Sequence, residues 1–207
     1  MALSDLSFKL YTDSALTSQF NGLYQLTHET DLSDNPQDFT LYFGSIVADR
    51  QLQANSNPGV DDIVLTPTNT LAEWIAATAY VAGYLVEPTT PNTFKYRCTT
   101  AGTSHAMTEP TWPTAAIGDT VADGTVVWTL VGKRHEVNEV TLALTEAELD
   151  TNTPGAALNV ATTIDSDVAN AVEIWIRVEN AVITVNSNTG YPEVSVFINS
   201  VVETDAV

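Results

Sequence analysis

The residues in this chain best suited to chemistry are its aromatics, and they cluster. Trp74, Trp112 and Trp128 fall between residues 71 and 132, together with Tyr80, Tyr84, Tyr96 and the single cysteine, Cys98. An indole or phenol ring offers a flat apolar face and a polar edge, which suits stacking on a sugar ring. Glycan binding is the chemistry such a cluster could do, with Trp112, Tyr80, Tyr84, Trp74 and Trp128 as candidate contacts. A module this small must also build its core from the same side chains. Trp74 and Trp128 are expected in that core, and Tyr80 and Tyr84 between core and surface. Trp112, stiffened by Pro110 and Pro113, is expected to be exposed.

Carboxylates are the other abundant chemical group, with 26 Asp and Glu in all. Asp31, Asp34 and Asp38 share one proline-containing loop, Asp61 and Asp62 follow a glycine turn, and Asp165 and Asp167 flank Ser166. Oxygen ligands of this kind could hold Ca²⁺, with Asp31, Asp34 and Asp38 the weak candidates against a plain solvated loop. No stretch matches the EF-hand loop. Glycoside hydrolysis needs two carboxyls roughly 5–9.5 Å apart across a cleft, and nothing marks such a pair. His28, His105 and His135 include no pair at i, i+4, and the HExxH spacing is absent. Cys98 reads as an apolar filler of a small strand, not as a nucleophile. There is no G-x-S-x-G elbow and no phosphate-binding glycine loop. No catalytic residue, metal or cofactor is predicted, and the chain does not read as an enzyme.

These side chains need elements to hold them. Phe94 to Cys98 alternates as a short strand, and Thr99 to Ser104 is small, polar and turn-prone. Asp123-Gly124 supplies the positive-φ residue of a tight hairpin, before the β-branched run around Trp128. Residues 71–132 are thus predicted to be a compact module of three or so short strands. The flanks alternate with period two: Leu6, Phe8 and Leu10, then an extended stretch from Thr17 to Thr30 broken at Asn21-Gly22, then Phe39, Leu41 and Phe43, then a short strand at Arg50 to Ala54, then Ile63 and Leu65 up to Pro67. After the module come Val140 to Leu144, Leu158 to Ile164, Val172 to Val178 and Val194 to Ile198. Val172 to Val178 is the clearest, with Glu173, Trp175 and Arg177 facing out. Thr145 to Leu149 could make one helical turn. About nine flanking strands, five before and four after, predict an all-β fold. It would be an antiparallel β-sandwich, Ig-like or jelly-roll-like, formed by 1–70 plus 133–207, with residues 71–132 inserted as a second β module.

The net charge is −19, with only seven Lys and Arg to set against the acids. Nucleic acid and anionic membrane surfaces are excluded as partners on electrostatic grounds. Acidity of this size fits a surface exposed in bulk or one docking on a basic neighbour. A single cysteine rules out an internal disulfide and a cysteine zinc cage. The N-terminal residues lack the basic and apolar regions of a secretory signal, and no window reaches the roughly 18 apolar residues of a spanning helix.

Several motifs occur in order: Thr78-Ala79-Tyr80-x-x-Gly83-x-x-Val86-x-Pro88, then Tyr96-x-Cys98-Thr-Thr-Ala-Gly-Thr-Ser104, then Glu109-Pro-Thr-Trp-Pro113, then Asp123-Gly-Thr-Val-Val-Trp128. This order resembles a module of tailed-bacteriophage virion proteins. The leading Trp-x5-Tyr and closing Trp are similar, more loosely, to small chitin-binding modules. His105 stands where the phage modules usually carry Gly. In the flanks, TLYFGS-x8-ANSNPGVDDIVLTP and TPGAALNVATTI…NAVEIWIRV also resemble small virion structural proteins. The resemblance implies a multicopy or homo-oligomeric structural protein located in the virion, bound to other capsid or tail proteins. It would act as a decoration, fibre or tail-tip component whose inserted module could bind host-surface polysaccharide. The rival expectations are a free-standing lectin or accessory module of a polysaccharide hydrolase, and an internal virion connector.

Overall fold

The computed structural model describes residues 6–22, 24, 26, 29, 31–181 and 193–206. The protein is all-β, its sheets almost wholly antiparallel and sandwich-like, as the period-two alternation predicts. Its helical elements among the described residues are short 3-10 turns such as Glu146–Asp150, and no helix is long and apolar enough to cross a membrane. The chain divides into two compact units. One comprises Met1–Thr68, Glu136–Ala181 and Ser195–Val207; the other comprises Asn69–His135 and Val182–Val194. The second unit therefore takes in a late segment that the sequence reading leaves with the flanks.

In the first unit, β1 (Lys9–Tyr11), β2 (Gln37–Gly44), β3 (Arg50–Ala54) and β4 (Ile63–Asn69) precede the module. The strands β12 (Val140–Ala143), β13 (Leu158–Ala161), β14 (Thr163–Asp165), β15 (Val172–Val178), β16 (Val194–Ile198) and β17 (Val201–Asp205) follow it. Among the described residues, four strands before and six after replace the expected five and four. The stretch expected after Thr17 contributes only a bridge between Tyr11 and Gln19, and several of its residues, His28 included, lie outside the described ones. At the other end, β17, which pairs with β3, has no counterpart in the sequence expectation. The sheets run β1-β2-β15-β12, β13-β4-β16 and β14-β3-β17.

Alternation explains the central strand. Ile174 and Ile176 of β15 are buried and pair with Leu41 and Phe39 of β2, while Leu142 of β12 faces Ile176 from the other side. β-branched side chains suit such a pleated, covered face. The Thr145 to Leu149 stretch does turn as expected. Thr145 and Glu148 form a reciprocal capping box over the 3-10 turn, and Leu149 is buried beneath it.

The outward face of β15 holds a correction. Arg177 does not simply face water: its Nε and Nη2 donate to the two oxygens of Asp38 at 2.8 Å each, and its Nη1 donates to Asp150 at 2.7 Å. The bonds to Asp38, then those to Asp150, hold the guanidinium pKa above its ordinary value. Arg177→Ala is accordingly expected to cost about 1–2 kcal/mol, more than a solvent-facing arginine would, because a paired fork on two carboxylates is lost. Urea melts of the variant against wild type check this. A change below about 0.5 kcal/mol would show that the fork contributes no more than an ordinary surface side chain.

Candidate functional site

The second unit is built on β5 (Ala72–Glu73), β6 (Ala79–Tyr80), β7 (Leu85–Glu87), β8 (Phe94–Thr100), β9 (Gly102–Thr103), β10 (Thr120–Asp123) and β11 (Val126–Lys133). Five of these make a sheet in the order β10-β11-β8-β7-β5, and β6 pairs with β9. That is more strand than the three or so expected. The Asp123-Gly124 turn forms as predicted: Asp123 pairs with Val126 across a two-residue loop, and Gly124 has φ +60°. A Cβ at Gly124 would lie 2.4 Å from the Thr103 carbonyl, so the turn also needs glycine in order to approach β9.

The aromatic cluster is real, and most of it is core. Trp74, Tyr80, Val86, Tyr96, Cys98, Val126, Trp128 and Leu130 form one buried cluster. At its polar centre sits Asp123, only 3 % exposed. Its Oδ2 accepts from the indole N–H of Trp74 at 2.7 Å and of Trp128 at 2.9 Å. Its Oδ1 accepts from the backbone N–H of His105 at 2.8 Å. A buried carboxylate is tolerable only when its lone pairs are filled, and here three donors fill them. Tyr80 stands edge-on to Trp128 at 4.8 Å, and its hydroxyl receives the Ile75 N–H at 2.8 Å. Burial pushes the Tyr80 phenol above its usual pKa, and does the same to the Cys98 thiol, which stays protonated and inert.

Trp112 departs from expectation. It is half-buried, not exposed, with its ring 4.4 Å from Tyr96 and 5.8 Å from Trp128. Its indole N–H donates to Glu109 at 2.7 Å, and the same carboxylate receives the Thr89 backbone N–H at 2.9 Å. The Tyr96 hydroxyl donates to the Pro113 carbonyl at 2.8 Å. The two prolines do stiffen this loop, but these bonds press it onto the sheet. Stiffness alone does not decide which way a ring points.

Of the five candidate contacts, the structure therefore gathers Trp74, Tyr80 and Trp128 around Asp123 and lays Trp112 over them. Tyr84 alone is exposed, at 44 %, in the Val81–Tyr84 turn, where Val81 is also exposed. Its ring centroid is 5.4 Å from that of Tyr80. Backbone bonds of Gly83 and Tyr84 to Cys98, both 2.8 Å, fix this turn to β8. What the arrangement can do is present one phenol face beside an aliphatic neighbour, enough for a weak stacking contact with a sugar ring.

The calcium candidates do not converge. Asp31 accepts from Ser33 N at 3.0 Å, Asp34 from Glu29 N and from the Gln37 side chain, and Asp38 from Arg177. Among the described residues no group of three or more His, Cys, Asp or Glu could hold a metal ion. Each carboxylate has instead been recruited by the nearest backbone or side-chain donor. His105 acts as an acceptor, its Nδ1 receiving the Met107 and Thr108 N–H groups at 3.3 and 3.0 Å.

The sequence reading missed the structural acids. Asp123 was legible in principle, since it shares the inward parity of Val121 on β10 while being polar. Glu109 carries no such signal, because its partner Thr89 lies on a different loop. No protein-family model, no curated protein and no solved structure matches this chain.

Proposed function

We propose that the chain is a non-enzymatic structural protein on the exterior of a tailed-phage virion, a capsid decoration, fibre or tail-tip component. Its first unit docks to other virion proteins and its second offers Tyr84 to host-surface glycans. The ordered phage-like motifs of both units support this reading. The observation that carries it is how the second unit uses its polar groups: Asp123 and Glu109 are both bound to N–H donors of the same unit. Carboxylates so employed brace a scaffold and are not poised as an acid and base facing each other.

The test has two arms. Purified virions should contain the chain at fixed stoichiometry, as read by quantitative mass spectrometry, and its absence from washed particles would end the virion reading. For the second unit, retention on host-surface polysaccharide or chitin beads should be weak per site and rise with multivalent display. Tyr84→Ala is expected to abolish retention with little change in melting temperature. Trp112→Ala should instead cost about 2 kcal/mol of stability, since it uncovers Tyr96 and Trp128. Retention unchanged by Tyr84→Ala would refute the platform while leaving the virion assignment to its own test.

A further inference from the structure

A buried amine and a buried carboxyl meet inside the second unit. The Lys95 side chain is 0 % exposed and that of Glu193 2 %, and the Lys95 nitrogen lies against Glu193 Oε1 at 2.5 Å. The carboxyl is held from its other side, where Oε2 receives the His135 backbone N–H at 2.6 Å, and the Glu193 carbonyl receives the Thr70 N–H at 2.8 Å.

Both ions have given up their hydration to be held against each other inside the unit. A nucleophile fixed against an electrophile also has little entropy left to lose on reacting. We propose that Lys95 and Glu193 condense into an intramolecular amide, a covalent tie between β8 and the residue that precedes β16. The Lys95 ammonium passes a proton to the Glu193 carboxylate, and the neutral Nζ adds to Cδ. The proton released by the attacking nitrogen passes to the leaving hydroxyl. The C–O bond breaks, water departs and the amide remains. Nothing is oxidised or reduced and no co-reactant is needed. Two buried charges become one neutral group, which removes the desolvation cost of the pair.

Intact-mass measurement of the purified full chain decides the matter. The wild-type protein is expected one water (about 18 Da) below its sequence mass. A protease digest should yield a branched peptide joining the Lys95 and Glu193 segments, stable to boiling and reductant. Lys95→Arg, which keeps the charge but resists acylation, should carry the full sequence mass. Wild type at full sequence mass after prolonged incubation in the folded state would overturn the proposal and leave an ordinary buried ion pair. Because the deciding measurement is made on wild type, a variant that fails to fold does not obscure the outcome.

Discussion

Asp123→Ala is expected to destabilise the second unit by about 3–5 kcal/mol, a large share of what holds a small domain together. The substitution removes no large apolar group; its cost lies in the donors it strands. The indole N–H groups of Trp74 and Trp128 and the backbone N–H of His105 all lose their acceptor inside a closed core. Each orphaned donor costs roughly 1–3 kcal/mol when water cannot replace the partner. Asp123→Asn separates this account from simple volume loss. Its amide oxygen can still serve the two indoles, but its NH₂ then confronts the His105 N–H, so an intermediate loss of about 2 kcal/mol is expected. Urea melts followed by tryptophan fluorescence report on both variants. Asp123→Ala within about 1 kcal/mol of wild type would show that water reaches these donors and that the carboxylate is not their anchor.

Ile174→Asp should be at least as damaging in the first unit, on the order of 4 kcal/mol or more. Ile174 is buried at the middle of β15, opposite Leu41 of β2, on the strand that joins β2 to β12. A carboxylate introduced on that apolar face must either stay charged without solvent or bind a proton. Glu173→Ala, one residue away on the opposite face, gives up only a 3.0 Å bond from the Tyr42 hydroxyl and should cost about 0.5–1 kcal/mol. A cooperative melt of Ile174→Asp close to that of Glu173→Ala would reverse the face assignment of the strand.

Local pattern carried a good deal of this protein. The period-two alternation of Val172–Val178 set its strand and its buried face, because a pleated strand sends successive side chains to opposite sides. Asp123-Gly124 placed a hairpin because that turn requires a residue at positive φ, and Thr145 to Leu149 read as a single helical turn, which forms. The concentration of aromatics marked where the second unit's core would be. Long-range pairing was not legible. Lys95 sits in a run that alternates like a half-exposed strand, yet both it and Tyr96 are fully buried, because Glu193, 98 residues away, supplies the countercharge. Nothing near Lys95 in the chain could reveal that partner. The same holds for Arg177, whose face is exposed by parity but whose guanidinium is claimed by Asp38 across the sheet. It holds again for Trp112, whose flanking prolines describe its backbone while Glu109, Tyr96 and Trp128 decide its orientation. Periodicity is a property of a few neighbouring residues and is written in the sequence. Which charge, indole or loop closes over a face depends on contacts between distant segments, and only the tertiary structure brings those together.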